Sequence, residues 1–590
     1  MTVTTAPIAD LVARGVLGST EVHGADLVAR RWLVDDADTL LAVAVAIWAD
    51  RTGHVGLDLA RVAPILDRAR RTPGAPAIGE PLPDLPEAER WRSALLAHPT
   101  IVRALSDDPG TTSAALADQR PLVLWRDRLY TQRQFADERS VAEQVRQRSE
   151  PAPVDDRSAA DGFLSRAATD LDPCQRAAVE AALGRRLTVI TGGPGTGKTF
   201  TLARALGALL AAEPDLEVAL AAPTGKAAKR MQEAISVAIG EGFGEVGPRL
   251  SALQPTTIHR LLGARGISTR FRHDAEHPLP HDVVVIDEAS MVSLQLTARL
   301  LEAIRPDARV ILIGDPDQLA SVEAGSVLGD IVAVETGPVA ASVTRLSTGH
   351  RSGESIITLA AAISAQDPAQ VRAAFAAAPG ELRLVESEHL GAAAASAELA
   401  SATTVAVAAR DAARSGDGGA AHAASASHRV LCGHRHGPTG VSTWNAWFER
   451  AIQCAGSAYA GRPVLVTVND PITGLVNGDT GILIDRAGET IAWFPPRETE
   501  GPPVTYAPVQ LPPTETAFAM TIHKSQGSEY DHVVVMLPPA GSPLLTRELL
   551  YTAVTRAKRS VTLIGSTAAL DTAITTVTER ASGLREALSG

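Results

Sequence analysis

The spacing of apolar and polar residues changes near residue 160. Before that point, alanine, leucine and valine recur at helical spacing between arginine-rich polar positions, which predicts a mainly helical region. Residues 122–125 and 129–130 interrupt it with an alternating pattern, which favours a short hairpin that turns at residues 126–127. The polar, proline-containing residues 148–161 then indicate a linker.

After residue 171, short apolar runs alternate with helical stretches. Such runs are typical of buried parallel strands, and their alternation with helices predicts doubly wound α/β folds. The runs form two sets, the first at 187–191, 218–223, 283–287 and 310–315, the second at 429–433, 532–537 and 560–565. We therefore expect two parallel sheets.

Two segments of the second half differ from this pattern. Residues 463–514 contain short strand-like runs between Gly, Asp and Asn turns, which predicts a small inserted β-barrel. Residues 412–427 are rich in Ala, Gly and Ser and are predicted to form a loop. The expected fold class is α/β, with domains at residues 1–160, 161–345 and 346–590, the last of which contains the insert.

Composition narrows the class of protein. The 590 residues suffice for three to four domains, and 45% of them are apolar, so large cores can be buried. The odd number of cysteines, three, argues against a disulfide framework. The sequence has no recognisable signal peptide and no apolar run long enough to cross a bilayer. Together these observations predict a cytoplasmic protein with no membrane segment. The net charge of −12 at first argues against nucleic acid, but a cleft that grips one strand needs only local contacts.

Lysine is rare and unevenly placed. Only five of the 55 basic residues are lysines, and none of the five lies in the first 190 residues. They are Lys198, Lys226, Lys229, Lys524 and Lys558. Compositional bias explains the overall deficit but not these positions. Lysine is a compact point charge on a flexible stem, whereas arginine is a planar fork. We therefore take the five lysines as markers of sites that need the point charge.

A glycine-rich segment at residues 192–199, GGPGTGKT, lies between a predicted strand and a helix. This context is typical of a P-loop, in which backbone N–H groups surround the phosphates of ATP at a helix N-terminus. Lys198 would neutralise the β and γ phosphates, and the Thr199 hydroxyl would hold Mg²⁺. The predicted ATP-binding residues of this loop are Gly192, Gly193, Pro194, Gly195, Thr196, Gly197, Lys198 and Thr199.

Carboxylates follow two later predicted strands. In VVVIDEASM, Asp287 would reach Mg²⁺ and Glu288 would polarise the attacking water, a pair that favours ATP hydrolysis. In GDPDQ, Gln318 is placed to sense the γ-phosphate and Asp315 to orient the turn. The alternative for GDPDQ is an ordinary β-turn.

The ordered motifs resemble those of superfamily-1 helicases over residues 170–566. They are GGPGTGKT, APTGKAAKR, TIHRLLG, VVVIDEASM, GDPDQLASVEAG, AMTIHKSQGSEYDHVVV and LLYTAVTRAKRSVTLIG. Their forms are similar to the 5′-to-3′ branch, and in particular to the RecD family, the alpha subunits of exodeoxyribonuclease V, the RecBCD complex. The earlier segment PLVLWRDRLYTQRQFADE is similar to a stretch that precedes the motor in that family.

The resemblance implies further site residues. Gln175 would read the adenine, Gly527 and Glu529 would face the nucleotide, and Arg351 and Arg556 would reach the γ-phosphate from the second domain. Residues implied to contact DNA are Pro223, Thr224, Gly225, Lys226, Thr257, His259, Thr521, His523, Lys524 and Ser525. Alternatives remain: a core histidine for His259, a surface arginine for Arg351, a solvated helix residue for Lys229, and a plain β-turn for Asn477 and Asp479.

The resemblance also implies a function. Two RecA-like domains would use ATP and Mg²⁺ to move 5′ to 3′ along single-stranded DNA and act on duplex ends, with RecB-like and RecC-like partners in a heterotrimer that repairs double-strand breaks. No lysine lies outside the helicase motifs, so a Glu-x-Lys nuclease centre is not expected. Residues 1–160 would dock a partner or else cap the motor.

Two other functions remain open at this point. The first is a stand-alone RecD-like helicase that needs no partner. The second is a regulatory subunit whose ATP site only switches conformation, although Lys198, Asp287, Glu288 and Arg556 argue against it because a switch that does not hydrolyse ATP can lose Glu288.

Overall fold

The structure is a computed structural model. It describes residues 5–69, 82, 84–105, 120–154, 156–264, 271–347, 349, 353–387, 397–454, 456, 458–496 and 501–589. Within these ranges, every helix is too short or too polar to cross a bilayer.

The amino-terminal region combines helices with a small sheet. Its helices are α1 (Ala6–Ala13), α2 (Ser19–Trp32), α3 (Ala37–Arg51), α4 (Val62–Ala69), α5 (Ala88–Leu96) and α6 (Gln132–Ser149). Its strands are β1 (Leu57–Asp58), β2 (Val102–Leu105), β3 (Leu122–Trp125) and β4 (Arg128–Thr131), in the order β1-β4-β3-β2. The predicted hairpin is confirmed, because β3 and β4 pair antiparallel and Arg126 and Asp127 take the positive φ values, 49° and 57°, of a type I′ turn.

A parallel sheet of six strands follows. Its strands are β5 (Leu187–Gly192), β6 (Val218–Ala222), β7 (Thr256–Thr257), β8 (Val283–Ile286), β9 (Arg309–Gly314) and β10 (Val343–Leu346), in the order β10-β5-β9-β8-β6-β7. The surrounding helices are α7 (Ser158–Ala167), α8 (Pro173–Gly184), α9 (Lys198–Ala212), α10 (Gly225–Ala238), α11 (Val246–Ala252), α12 (Ile258–Leu261), α13 (Leu294–Ala303), α14 (Val327–Val332) and α15 (Gly337–Ala340). The four strands predicted here are confirmed, and their side chains are buried on both faces.

The rest of the chain forms a second parallel sheet and an antiparallel one. Its strands are β11 (Leu382–Glu386), β12 (His428–Cys432), β13 (Pro463–Val466), β14 (Thr480–Arg486), β15 (Glu489–Phe494), β16 (Val504–Tyr506), β17 (Thr514–Thr516), β18 (Ala519–Thr521), β19 (Tyr530–Met536) and β20 (Ala557–Gly565). Its helices are α16 (Glu354–Ser364), α17 (Pro368–Ala377), α18 (Ala397–Arg414), α19 (Gly418–Ser427), α20 (Val441–Ala451), α21 (Arg547–Val554), α22 (Thr567–Thr575) and α23 (Leu584–Ser589). The second parallel sheet has the order β11-β20-β19-β12-β18 and contains the three strands predicted for it. The chain therefore has an α/β fold with two parallel sheets.

The insert forms a five-stranded antiparallel sheet in the order β16-β15-β14-β13-β17. A closed barrel would need β16 to pair with β17, and no such pairing occurs between the described strands. The predicted strands are therefore present, whereas closure into a barrel is not confirmed.

The predicted loop at residues 412–427 was wrong, because most of it is helical. Alanine is the strongest helix former, and the Asp417 side chain caps α19 by accepting a hydrogen bond of 2.9 Å from the Ala420 N–H. Ala413 and Ala421 are fully buried against the insert, and the backbone of Gly418 lies directly against Trp493. Small side chains here serve close packing rather than chain mobility.

The carboxyl-terminal segment returns to the amino-terminal region. The Val55 N–H donates to the Ala581 carbonyl at 2.8 Å, and the Ala581 N–H donates to Nδ1 of His54 at 3.1 Å. The buried Glu138 carboxylate accepts hydrogen bonds from the Ser582 hydroxyl and the Gly583 N–H, both at 2.9 Å. The two ends of the chain are thus joined through buried polar contacts.

Candidate ATP site and nucleic-acid interface

The glycine-rich loop curls at the carboxyl end of β5 and leads into α9. Gly195 and Gly197 have φ values of 73° and 82°, a conformation that residues with a Cβ rarely adopt. Gly197 is the residue that precedes α9, so the loop presents its N–H groups at a helix N-terminus. The Lys198 ammonium donates to the carbonyls of Gly192 and Gly193 at 2.6 and 2.8 Å, which places its charge over the loop.

Two carboxylates stand at the end of β8, beside this loop. Burial raises the pKa of Asp287 to about 6, the charge of Glu288 pushes it in the same direction, and Lys198 opposes both. Glu288 has a φ of 53°, a left-handed conformation that costs a residue with a Cβ on the order of 1 kcal/mol. Such strain beside a phosphate-binding loop is typical of a functional residue.

A cavity of about 400 Å³ lies between the two parallel sheets. One wall belongs to the first half of the chain and contains residues 194–200, Asp287, Glu288 and Gln318. The facing wall belongs to the second half and contains Glu529, Thr555, Arg556, Ala557 and Lys558. Most of the predicted nucleotide residues thus meet in one cavity of a size that suits a small ligand.

Arg556 is a buried cation on the second wall. It is 3% exposed, and burial lowers its pKa. Its guanidinium donates to the Thr552 carbonyl at 3.0 Å and to the Thr555 hydroxyl at 3.2 Å, and among the described residues no carboxylate lies within ion-pair distance. Arg556 therefore offers the cavity a positive charge that is near Glu288 and Glu529 but in no direct ion pair. Arg351, the other predicted arginine, lies outside the described residues.

A hydrogen-bonded contact joins the two halves beside the cavity. Asp315 is 1% exposed, and its Oδ2 accepts from the Gln318 amide and from the Tyr551 hydroxyl, each at 3.0 Å. The Leu319 N–H donates to the Thr552 hydroxyl at 2.8 Å. Residues 315–319 therefore form two hydrogen bonds with α21, through Tyr551 and Thr552. Sequence reasoning missed Tyr551, although it lies within the quoted YTAVTRAK motif.

Arg230 was also missed. It belongs to the quoted APTGKAAKR segment, lines the cavity and forms an ion pair with Glu529 of the second half. Burial tends to raise the pKa of Glu529, but the Arg230 guanidinium outweighs it and holds that pKa below its ordinary value. This ion pair spans the cleft, which no local sequence pattern reveals.

Gln175 lies beneath the loop rather than in the cavity. Its backbone N–H donates to the Asp172 carboxylate at 2.9 Å, and its side-chain oxygen accepts from the Asp172 N–H at 3.2 Å, which is a capping box at the start of α8. Its amide nitrogen donates to the Thr196 carbonyl at 3.4 Å. Gln175 therefore contacts the loop directly.

Among the residues implied to bind DNA on the first half, His259 is exposed and the others are partly buried: Pro223, Thr224, Gly225, Lys226 and Thr257. Thr224 and Thr257 cap α10 and α12 through their hydroxyls, each accepting a hydrogen bond of 3.2 Å from the backbone. His259 is exposed and lies against Phe271, so it is not a core histidine. Gly225 packs against Val476 of the insert, where an added Cβ would lie 3.0 Å from a methyl group.

The residues implied to bind DNA on the second half are more enclosed. Ser525 is fully buried and donates to the Ile522 carbonyl at 2.7 Å, and Thr521 is 9% exposed. The Lys524 ammonium donates to the Glu515 carboxylate of the insert at 2.6 Å. His523 is partly buried, and Gly527 lines a neighbouring cavity rather than the one described above.

The cavity contains the groups that a magnesium–nucleotide complex needs. Thr199 and Asp287 both line it, and Mg²⁺ in such sites takes one or two carboxylates while substrate phosphates and water complete its shell. Across the described ranges, there is no group of three His, Cys, Asp or Glu side chains that could hold a metal alone. The residues thus fit Mg²⁺ that arrives together with a nucleotide.

Comparisons with known proteins agree with this geometry. Family models match as an AAA domain at residues 175–324, as the UvrD-like helicase C-terminal domain at residues 516–564, and as the N-terminal domain of RecBCD enzyme subunit RecD at residues 13–130. The chain is 42% identical to RecBCD enzyme subunit RecD of Mycolicibacterium smegmatis, over 97% of this chain and 98% of that one. It is 30% identical to the ATP-dependent RecD2 DNA helicase of Deinococcus radiodurans, over 95% of this chain and 71% of that one.

Solved structures similar to the chain include Bacteroides Pif1 bound to single-stranded DNA. That similarity has 18% sequence identity and a TM-score of 0.39, and it covers 69% of this chain and 94% of that one.

Proposed function

The chain belongs to the RecD family of RecBCD enzyme subunits and is an ATP-dependent DNA helicase, and from that premise we propose that it moves 5′ to 3′ along single-stranded DNA in a heterotrimer that processes broken duplex ends. Its partners are RecB-like and RecC-like subunits, and any cleavage of DNA belongs to a partner. We propose domains at residues 1–160, 161–345 and 346–590. The first docks the partner subunits, and the other two form the motor.

The observation that carries the proposal is the cavity with Lys198 on one wall and Arg556 on the other. ATP binds there with its phosphates on the loop of residues 192–199, and Glu288 orients the attacking water. Thr199 and Asp287 hold Mg²⁺, which when bound neutralises charge on the β and γ phosphates. Arg556 completes the site only when the two halves close, so hydrolysis is coupled to closure.

Strand contacts lie on both halves and move with them. Thr224, Gly225, Thr257 and His259 hold the DNA backbone from the first half, while His523 and Lys524 hold it from the second. Closure on ATP and opening after hydrolysis shift one set relative to the other, and alternate tightening gives directional stepping. The insert lies against Gly225 and Lys524, which places it beside this path, and we propose that it guides the strand.

The experiment that tests the proposal is ATP hydrolysis by the full chain with and without single-stranded DNA. We expect strong stimulation by DNA, and loss of both basal and stimulated hydrolysis in Lys198→Ala. The control is Arg559→Ala, which removes an exposed cation near the site and should hydrolyse ATP normally. Hydrolysis that ignores DNA would overturn the motor and favour the ATP-switched regulatory subunit.

Polarity and partners need their own measurements. A dye on the 5′ or the 3′ end of a single strand reports the direction in which the chain arrives, and we expect signal from the 3′ end only. The second candidate function, a stand-alone helicase, is supported by the similarity to the RecD2 DNA helicase. Unwinding of a duplex by the isolated chain, unchanged when the partner subunits are added, would favour that candidate.

A further inference from the structure

A second cavity lies next to the ATP cavity. Its volume is about 350 Å³, and it is lined by α10, the end of α19, the start of β12, the insert and residues 527–530. It shares Arg230, Glu529 and Lys558 with the ATP cavity, so the ion pair between Arg230 and Glu529 forms part of the wall of both. Lys226, implied above to contact DNA, lines this cavity, and so does Arg429, to which the proposed function gives no role.

Arg429 is the most enclosed charge in this second cavity. It is 4% exposed, and its guanidinium lies 5.0 Å from the ring centre of Tyr530. One Nη donates to the Ser425 carbonyl at 3.3 Å and the guanidinium also hydrogen-bonds the Tyr530 side chain, but Nε is buried and has no acceptor. In the part of the chain that the structure describes, no carboxylate lies within ion-pair distance of Arg429.

Lys226 lies in the same cavity, where the Asp479 carboxylate is close enough to act on its charge. Its ammonium has no carboxylate within ion-pair distance among the described residues, and its stem lies 3.5 Å from the position that a Cβ on Gly478 would occupy. Burial lowers its pKa and Arg429 pushes it in the same direction, whereas Tyr530 and Asp479 oppose them. Two cations therefore face each other across one enclosed space.

The acids that line this cavity offset the cations only in part, and none forms an ion pair with Arg429 or Lys226 among the described residues. Glu529 is paired with Arg230, and the Asp479 carboxylate accepts a hydrogen bond of 2.9 Å from the Val476 N–H within its own turn. The third, Glu233, is exposed to solvent. A buried charge is unfavourable unless a counter-charge and hydrogen bonds accompany it. The missing component is an anion that accepts several hydrogen bonds.

We propose that this cavity is a second phosphate site, in which one phosphate group binds between Arg429 and Lys226. A guanidinium donates to a phosphate as a planar fork and an ammonium binds it as a point charge, so the pair suits one tetrahedral oxyanion. Two sources can supply that group, and both rest on the proposed function. The shared wall with the ATP cavity favours orthophosphate released by hydrolysis, and the second source is a backbone phosphate of the DNA strand.

The experiment uses the full chain with its ATP cavity filled by Mg²⁺ and a non-hydrolysable ATP analogue. Inorganic phosphate is then titrated by calorimetry. We expect one binding event that weakens at least about tenfold in Arg429→Gln and in Lys226→Gln, because each change removes a charge-assisted contact. Arg450→Gln, which removes an exposed arginine on α20, should bind phosphate like the unmodified chain. Lys226→Gln keeps the test valid if Arg429→Gln does not fold.

A second arm measures oligo(dT) affinity at several salt concentrations for the unmodified chain and Arg429→Gln. Weaker oligo(dT) binding in Arg429→Gln with no binding of free phosphate supports the site and identifies the strand as its source. Binding of free phosphate that depends on Arg429, with unchanged oligo(dT) affinity, supports it and identifies orthophosphate. If neither arm responds to Arg429→Gln, the site is overturned. Calorimetry needs no hydrolysis, so a chain that fails the DNA-stimulated ATPase test can still pass this one.

Discussion

The Tyr551 hydroxyl donates to Oδ2 of Asp315 at 3.0 Å, across the cleft between the two parallel sheets. Both side chains are nearly inaccessible, at 4% and 1% exposure. Burial and the Asp315 charge together raise the pKa of Tyr551 well above its ordinary value, so the phenol stays protonated and remains the donor. Because the same oxygen accepts from the Gln318 amide, movement of α21 acts directly on the residue proposed to sense the γ-phosphate.

We predict that Tyr551→Phe uncouples the two halves without emptying the ATP site. A hydrogen bond to a charged group contributes about 1.5–3 kcal/mol, so its loss should lower the DNA-stimulated kcat for ATP about tenfold or more. The KM for ATP should change less than about threefold, because Lys198 and the loop remain intact. Steady-state ATPase assays at saturating oligo(dT) measure both quantities.

Tyr459→Phe is the matched control. The Tyr459 hydroxyl donates to the Glu449 carboxylate at 3.0 Å, which is the same kind of contact at a distance from the cleft. It should leave kcat unchanged. A Tyr551→Phe variant that melts normally and keeps the unmodified kcat would show that the contact with Asp315 does not position Gln318.

We predict that Arg556→Ala lowers kcat about a thousandfold while ATP affinity changes only a few-fold. An arginine that stabilises the phosphoryl-transfer transition state is worth about 10³–10⁵ in rate, and it acts little on the ground state. Arg556→Lys should recover only part of the rate, since the ammonium lacks the planar fork. Single-turnover hydrolysis and binding of a fluorescent ATP analogue separate the two effects.

Arg559→Ala provides the control, because Arg559 lies three residues away and is exposed. Equal losses in Arg556→Ala and Arg559→Ala would indicate a general effect of charge near the cleft. A loss of ATP affinity equal to the loss of kcat in Arg556→Ala would assign the arginine to binding rather than to catalysis.

Local patterns predicted much of this molecule because its key features are local. A strand such as β5 is a continuous apolar run, and the loop predicted to bind phosphate lies entirely within eight successive residues, Gly192 to Thr199. The hairpin turn at Arg126 and Asp127 is similarly short-range. These features need no knowledge of which distant segments meet.

Features that depend on distant segments were missed or misassigned. Tyr551 contacts Asp315 over 236 positions of sequence, and Arg230 pairs with Glu529 only because α10 faces the second sheet. The helix that contains Ala421 was taken for a loop because its small residues were interpreted without the insert surface that they pack against. Closure of the insert into a barrel likewise depends on long-range pairing that no local run determines.

We predict that Asp330→Asn raises the melting temperature at pH 8 and that the gain shrinks as the pH falls toward 4. Burial raises the pKa of Asp330 from 3.8 to about 7, and the Glu138 charge adds to the shift. A carboxyl whose pKa is higher in the folded state holds its proton there, so its ionisation destabilises the fold progressively as the pH rises from about 4 through 7. An asparagine stays neutral throughout. Thermal melts from pH 4 to 8 measure the difference in melting temperature between Asp330→Asn and the unmodified chain.

The control for this prediction is Asp215→Asn, which neutralises an exposed carboxylate in a turn. Its melting temperature should track that of the unmodified chain at every pH. If Asp330→Asn raises the melting temperature by the same amount at every pH from 4 to 8, the Asp330 carboxyl does not titrate in this pH range. The effect of the substitution would then be steric.

We predict that Glu515→Gln binds single-stranded DNA several-fold more tightly at low salt. The Lys524 ammonium, proposed to contact the DNA backbone, lies 2.6 Å from the Glu515 carboxylate, so the strand must compete with that carboxylate for it. Removing the Glu515 charge frees the Lys524 ammonium to bind a DNA phosphate. The DNA affinity should then fall more steeply with salt, because about one additional counterion is released on binding. Fluorescence anisotropy of labelled oligo(dT) at about 50–300 mM salt measures how steeply the DNA affinity falls with salt. The control is Glu489→Gln, which removes an exposed carboxylate on the same sheet. Weaker binding would mean instead that Glu515 positions the lysine for the strand.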